Sequence, residues 1–482
     1  MNFRYKKLYF DGQLKDASTS EKHDVVCPGD ERVVAQIAWA SKQDAYDSLE
    51  SAKKGFEYWS QLNANDRSTW MLKLRDAIIQ KRDFLREAIM HEMGKTWEVT
   101  DEDLTSLIDS LAYYSKEIHN WKNIPIKDKE GTHSHYIQHQ PVGVVVAFLA
   151  YNFPLLNLGF KLGPALASGC SIILKPSDFS PLSAYLIGEI CHSISFPAGV
   201  INVICGDVKE VGVTLSKSKI PRLITMIGST DTAQKLIQQS SKTSLKRYSM
   251  ECGGNAPFIV FPDANLSQAL DIAKTLKIWN TGQICVAPNR FFIHESIIDS
   301  FTEGLVEKFS KVKIGFNRSE KPDMGPLANK QSVFKVKSII DQSLNENGKL
   351  LFGGGVPDKK GYFIEPTIIR MEDNNADVLQ KEIFGPVAII VPFSNKEEVL
   401  ELANNTNVGL ASYVFSSNNN TLDYFAENLE FGEIQFNGVK YDIYLPHGGI
   451  KNSGVGFDCS PYALDDYLVK KRISKKMDDV TS

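Results

Sequence analysis

The sequence has no sign of a metal centre, a disulfide framework or a nucleic-acid-binding surface. Its seven cysteines, at 27, 170, 191, 205, 252, 285 and 459, are odd in number and scattered, without a CxxC pair or a His/Cys ligand spacing. No metal site is therefore expected, and free thiols in a chain of 482 residues indicate a reducing, cytoplasmic setting. Net charge is only −4, so nothing favours nucleic acid or an anionic membrane surface as a partner. The basic start Met1-Asn2-Phe3-Arg4-Tyr5-Lys6-Lys7 lacks the apolar core of a secretory signal. No internal repeat is present, and the longest low-complexity piece is Ser416-Ser417-Asn418-Asn419-Asn420. A complete GxGxxG dinucleotide fingerprint is missing as well.

One uncharged run, 142–160, is long enough to reach across a bilayer. Asn152, Pro154, Asn157 and two glycines interrupt it, and its β-branched start ends at Ala150-Tyr151. A buried strand followed by a core helix is expected there, not a membrane span. With 43% hydrophobic and 23% charged residues, the composition is globular and the length suits two or three domains.

Helices are expected over 44–56, 64–81 and 101–121, where apolar residues recur at helical spacing on a polar lead-in. From Val142 the pattern changes to strands at 143–149, 171–174, 201–205, 223–227 and 257–261. Helices such as 182–193 and 231–239 fall between them, the second opening after a Ser229-Thr230 cap. This repetition predicts an α/β fold with a mostly parallel, doubly wound sheet. A second α/β series follows, with strands at 290–294, 387–392, 412–415 and 433–436 and helices at 297–309 and 396–404. Cys285 lies between the two series, which puts it in the second unit facing the first. The alternating segment 133–140 reads as an arm for a neighbouring subunit, joined by the tail 467–473.

The chemistry-bearing residues fall in a few short strings. Cys285 ends Asn280-Thr281-Gly282-Gln283-Ile284-Cys285, and Glu251 lies in Met250-Glu251-Cys252-Gly253-Gly254-Asn255. A carboxylate after an apolar strand is costly to bury without a partner or a water. Tyr151-Asn152-Phe153-Pro154 turns from strand to helix; Lys175-Pro176-Ser177-Asp178 and Gly228-Ser229 follow two further strands. Glu382-Ile383-Phe384-Gly385-Pro386 and Pro446-His447-Gly448-Gly449-Ile450-Lys451-Asn452-Ser453-Gly454 complete the set. Taken singly, Cys285 reads equally as a buried small residue, Asn152 as a helix N-cap, and each of the others as a turn. Taken together, their order and separations resemble the aldehyde dehydrogenase superfamily over almost the whole chain. Within it, Asn255-Ala256-Pro257-Phe258-Ile259-Val260-Phe261 resembles succinate-semialdehyde-type dehydrogenases.

The resemblance implies an aldehyde-dehydrogenase-like fold and NAD(P)-dependent oxidation of an aldehyde to a carboxylic acid. It makes Cys285 the nucleophile, passing through a thiohemiacetal and a thioester, and Glu251 the base for the hydrolytic water. Asn152 would donate its amide to the oxyanion together with the N–H of Cys285. On the cofactor, it puts Lys175, Ser177 and Asp178 at the adenosine ribose and Gly228 and Ser229 at a helix N-terminus facing the pyrophosphate. Glu382 and Phe384 would meet the nicotinamide ribose and ring. The carboxylate of Asp178 favours NAD, without barring NADP. A homodimer or homotetramer is implied. The implied division is a cofactor-binding domain of 1–118 and 142–253, a catalytic domain of 254–453, and an oligomerisation arm and tail of 119–141 and 454–482.

The chain departs from the family pattern at Tyr151 (usually Trp), Asp178 (usually Glu), Cys252 (usually Leu) and His447 (usually Phe). Cys252 reads as a small core residue or an oxidisable thiol, and His447 as a satisfied buried histidine or a substrate contact. The arginines that clamp a distal carboxylate in semialdehyde enzymes would fall at Phe160 and Trp279. An aromatic pair there, with Ile284 and His447, predicts a pocket for an uncharged aliphatic or aromatic aldehyde. Lys440 and His447 leave a semialdehyde or small hydroxyaldehyde as the alternative, with Phe160 and Trp279 as packing residues. Retention of Glu251 argues against a CoA-acylating relative, and retention of the whole set argues against a non-catalytic one.

Overall fold

The computed structural model describes residues 3–477; the first two residues of the basic start and the tail beyond 477 lie outside them. The sheets form where apolar runs are continuous. Ser171–Lys175 is buried at every position and Val144–Phe148 at all but the last, as strands covered on both faces must be. They lie at the centre of an eight-stranded sheet. Its order is Gly454–Val455, Arg247–Glu251, Pro221–Ile227, Val144–Phe148, Ser171–Lys175, Ile201–Val203, Leu8–Phe10, Gln13–Lys15. The five strands from Arg247–Glu251 to Ile201–Val203 run parallel, and antiparallel strands close both edges. Strand order reverses between Val144–Phe148 and Pro221–Ile227, and ligands of doubly wound sheets collect outside the carboxyl ends of strands at such a reversal. The helices Pro154–Ser168, Leu182–Ser193 and Thr230–Ser241 connect these strands, giving the doubly wound α/β architecture expected.

A seven-stranded sheet follows, in the order Lys349–Phe352, Thr367–Arg370, Val387–Phe393, Pro288–His294, Ala256–Val260, Ala411–Phe415, Glu433–Phe436. It is parallel except at its Lys349–Phe352 edge. Glu251 is the last residue of a strand in the first sheet, and Ala256 opens a strand of the second. Cys285 comes just before Pro288–His294, the neighbour of Ala256–Val260. Glu251 therefore lies where the chain crosses from one sheet to the other, and Cys285 lies at the start of the strand next to the one that opens after that crossing.

The expected arm is a three-stranded antiparallel sheet, in which His133–Pro141 pairs with Ile124–Ile126 and with Leu468–Lys476 of the same chain. Near the N-terminus the lead-in forms strands (Tyr5–Lys6, Lys22–Val26, Val33–Ala38) that the sequence reading passed over. The helices Lys42–Trp59, Ala64–Gln80 and Trp97–Glu117 match those expected, and Arg82–Met93 adds one. The uncharged run resolves into the strand Val144–Phe148 and the helix Pro154–Ser168. Among the described residues no helix is long and apolar enough to cross a membrane.

Candidate active site

A cleft of about 1880 Å³ opens at the carboxyl ends of the central strands and runs to Cys285. All seven residues expected at a cofactor line it: Lys175, Ser177, Asp178, Gly228, Ser229, Glu382 and Phe384. Ser229 caps the helix Thr230–Ser241, accepting a hydrogen bond from the Thr232 N–H at 3.3 Å. The buried Lys175 Nζ makes one long contact, 3.4 Å to the Pro176 carbonyl, and keeps donors for another partner. The exposed Asp178 carboxylate accepts from the Ser177 hydroxyl at 3.3 Å. Glu382 Oε1 accepts from the Gly254 N–H at 3.1 Å. A side chain on Gly253 would collide with the Glu382 carboxylate, so only glycine admits it there. Glu382 is open to the cleft; its surroundings raise its carboxyl, against the Gly254 hydrogen bond and the charge of Lys277. The Tyr151 and Phe384 rings meet edge-on at 6.0 Å beside it. A helix N-terminus for phosphates, a cation and carboxylates for ribose hydroxyls, and an aromatic edge together fit a dinucleotide.

The loop that leads into Cys285 is held by unusual backbone and many side-chain bonds. Asn280, Thr281 and Gly282 are all left-handed, with φ of 48°, 57° and 68°. That region is unfavourable for a β-branched residue such as Thr281 and persists only where the surroundings over-determine it. Thr281 Oγ1 donates to the Gly325 carbonyl at 3.0 Å. Asn280 Nδ2 donates to the carbonyls of Asn152 (3.0 Å) and Gln283 (3.1 Å). The turn delivers Cys285 half-buried to the cleft, while the other six cysteines are buried.

Asn152 is not a helix cap. The first turn of Pro154–Ser168 is satisfied by buried Asp103, whose Oδ1 accepts from the N–H groups of Leu155 (3.0 Å) and Leu156 (2.6 Å). Asn152 Nδ2 instead donates to the Gln283 carbonyl at 3.1 Å, and its Oδ1 accepts from Asn157 at 3.3 Å. This leaves its second amide hydrogen beside the loop that carries Cys285.

Glu251 is 3% exposed, and neither carboxylate oxygen has a protein hydrogen-bond partner. Buried oxygens in that state are suited to a water. Burial holds its carboxyl well above the usual range, and the charges of His447 and Lys161 work the other way. Lys161 is itself buried, 2.6 Å from Asp458. Gly254 brings this segment onto the loop that carries Cys285, where an added Cβ would lie 2.7 Å from the Cys285 carbonyl oxygen.

Phe160, Ile284 and His447 line the end of the cleft around Cys285, but Trp279 does not. The Trp279 indole N–H turns to Glu102 Oε2 at 2.5 Å, so the expected aromatic pair is one ring short. His447 Nδ1 lies 2.6 Å from Glu433 Oε1. Lys440 is exposed and paired with Asp442 at 3.1 Å. Cys252 is buried at the wall. Sequence reasoning missed Asp103, Lys161, Glu433 and Asp458. Lys161 and Asp458 are charged residues in apolar stretches and Glu433 follows a glycine, whereas Asp103 lies in the acidic run Asp101-Glu102-Asp103, where nothing local sets it apart.

The sequence matches the aldehyde dehydrogenase family over residues 15–473. The mitochondrial succinate-semialdehyde dehydrogenase of Oryza sativa subsp. japonica is 34% identical over 463 residues, 96% of this chain and 88% of that protein. The D-glyceraldehyde dehydrogenase (NADP(+)) of Thermoplasma acidophilum is 34% identical over 477 residues, 97% of this chain and 95% of that one. Among solved structures, betaine aldehyde dehydrogenase from Staphylococcus aureus in complex with NAD+ has a TM-score of 0.94 at 30% identity. It covers 97% of this chain and 94% of its own.

Proposed function

The chain belongs to the aldehyde dehydrogenase family and is an NAD(P)-dependent enzyme that oxidises aldehydes; within that chemistry we propose that Cys285 is the nucleophile, Glu251 the general base and Asn152 the oxyanion donor. One observation carries this reading: a half-buried thiol, a buried carboxylate with no protein partner and a side-chain amide beside the thiol's loop converge on one cleft. The Cys285 thiolate adds to the aldehyde carbon, and the charge that develops on oxygen meets the Asn152 N–H. A nicotinamide, when bound against Glu382 and Phe384, supplies the hydride acceptor. The carbon that has lost hydride remains on Cys285 as a thioester. Glu251 then takes a proton from water, which attacks the thioester and releases the acid. Water rather than CoA is the proposed acyl acceptor, because Glu251 is present to activate it.

Removing the Asn152 amide tests the oxyanion role. Asn152→Ala is expected to lower kcat by about 100-fold with little change in cofactor affinity, the usual effect of losing one such donor. Unchanged kcat in the folded protein would contradict it.

For the substrate we propose an uncharged aliphatic or aromatic aldehyde. Among the described residues no arginine lines the cleft, Phe160 and Ile284 are apolar, and Glu102, Asp109 and Glu433 are carboxylates on its wall. An anionic tail would be desolvated without a partner, since Lys440 is paired with Asp442 and His447 with Glu433. These pairings disfavour anchoring of a semialdehyde by either cation. In kcat/KM, hexanal or benzaldehyde is expected to exceed succinate semialdehyde by on the order of a hundredfold. A preference for succinate semialdehyde would contradict the pocket reading. Run with both cofactors, the same panel is expected to form NADH faster than NADPH, because of the exposed Asp178 carboxylate.

Assembly into a dimer or tetramer is proposed through the arm, whose outer strand leaves Ile124 and Ile126 exposed. Light scattering is expected to give two or four times the chain mass of 53.8 kDa. A monomer at working concentration would rule this out.

A further inference from the structure

We propose, resting on the assignment of Cys285 as nucleophile, that His447 and Glu433 complete a proton-transfer triad with it: the imidazole accepts the thiol proton, and Glu433 is the positioning residue that orients the ring. His447 Nδ1 lies 2.6 Å from Glu433 Oε1, with the two side chains only 14% and 11% exposed. A carboxylate on Nδ1 fixes the ring and its tautomer and leaves Nε2 for the other partner. We assign that partner as the Cys285 thiol, which lines the same end of the cleft and whose interaction with the ring favours the charged imidazole. Nucleophile, base and orienting carboxylate in this relation are the arrangement by which a thiol is activated near neutral pH.

The backbone makes this arrangement rigid. His447 N–H donates to the Asp458 carbonyl at 2.8 Å, and Asp458 N–H returns a bond to the His447 carbonyl at 2.7 Å. The Asp458 carboxylate is held in turn by buried Lys161. Gly432, next to Glu433, lies so close to the Gly448 carbonyl that any side chain on it would collide. The strand Glu433–Phe436 and the turn bearing His447 are thereby locked side by side. Phe160 and Tyr441 flank the imidazole, with ring centres 6.2 Å and 6.3 Å away.

The titratable groups around His447 mostly favour its charged form. Glu433 approaches from its strand, Glu251 from the end of Arg247–Glu251, and Cys285 from the nucleophile loop. Cys459 and Tyr441 are neutral neighbours, and the opposing cation, Lys161, is paired with Asp458. Burial works against the imidazolium, but Glu433, Cys285 and Glu251 outweigh it and hold His447 well above its usual range. The transfer balances without a co-reactant. The S–H bond of Cys285 breaks, an N–H bond forms at Nε2, and a thiolate–imidazolium–carboxylate chain results. Deacylation returns the sulfur as thiolate, so the proton stays on the ring from one turnover to the next. Glu251 is then left to act on water alone.

The test is the rate of Cys285 alkylation by iodoacetamide as a function of pH, scored by mass on the peptide containing Cys285. His447→Gln keeps a hydrogen bond to Glu433 but cannot carry the charge. Wild type is expected to react at a nearly constant rate from about pH 6 to about pH 9, since the thiolate is the reacting form. His447→Gln is expected to react about 100-fold more slowly than wild type near pH 6, where an ordinary thiol is under roughly 1% ionised, and to converge near pH 9. Glu433→Gln should move the midpoint the same way by less, and it decides the matter if His447→Gln does not fold. Superimposable profiles would overturn the triad. So would a His447→Gln enzyme that alters only KM for aldehydes, the mark of a substrate contact. Absence of label on Cys285 in wild type, or wild-type turnover by Cys285→Ser, would instead sink the nucleophile assignment.

Discussion

Cys285→Ser is expected to bind NAD or NADP as wild type does and to lose turnover by at least about 10⁴-fold, because a serine hydroxyl is a far weaker nucleophile than a thiolate at neutral pH. The substitution removes no packing of consequence, since Cys285 is half-buried at the cleft wall. The loop that presents it is fixed by Asn280, Thr281 and Gln283, so the cofactor surface should be undisturbed. Cofactor-induced thermal shift and steady-state kinetics on one preparation check both halves. Substantial turnover with the shift retained would move the nucleophile elsewhere, and loss of both would point to misfolding.

The second large effect is expected at Glu251. Glu251→Gln keeps the shape but cannot accept a proton, so hydrolysis of the thioester should slow by roughly 10²–10⁴-fold while acylation proceeds. A pre-steady-state burst of reduced cofactor followed by slow turnover is the expected trace. Wild type should also show a characteristic pH dependence. Burial holds the Glu251 carboxyl well above its usual range, with His447 and Lys161 pulling it back. Protonated Glu251 cannot serve as a base, so deacylation should accelerate as pH rises through its ionisation. The Gln variant should lose that rise. Loss of the burst itself would mean that Glu251 also acts on the thiol, contrary to the role assigned to His447.

Much of this site was legible because its residues follow strand ends. Asn152, Lys175, Gly228 and Glu251 come at or just after the carboxyl ends of four parallel strands, and each strand shows in the sequence as a short apolar run. The helices Leu182–Ser193 and Lys396–Asn404 were legible to the residue from their periodicity. What failed to show in the sequence depended on long-range contacts. Trp279 reads in the sequence as a pocket wall, but its indole bonds to Glu102, 177 residues away. Asn152 reads as a cap in isolation, yet Asp103 supplies that cap from another helix. Glu433 gave no local sign of its tie to His447, which arises only where two backbone segments touch at Gly432 and Gly448.

The most direct test of the account is to quench Glu251→Gln with acid during the slow phase, in the presence of hexanal and NAD, and map the adduct. An acyl group on the peptide carrying Cys285, absent when the cofactor is omitted and absent from a Cys285→Ser, Glu251→Gln double variant, is the expected result. A burst of reduced cofactor with no acyl group on Cys285, or with the acyl group on Cys252 or another residue, would contradict covalent catalysis at this thiol.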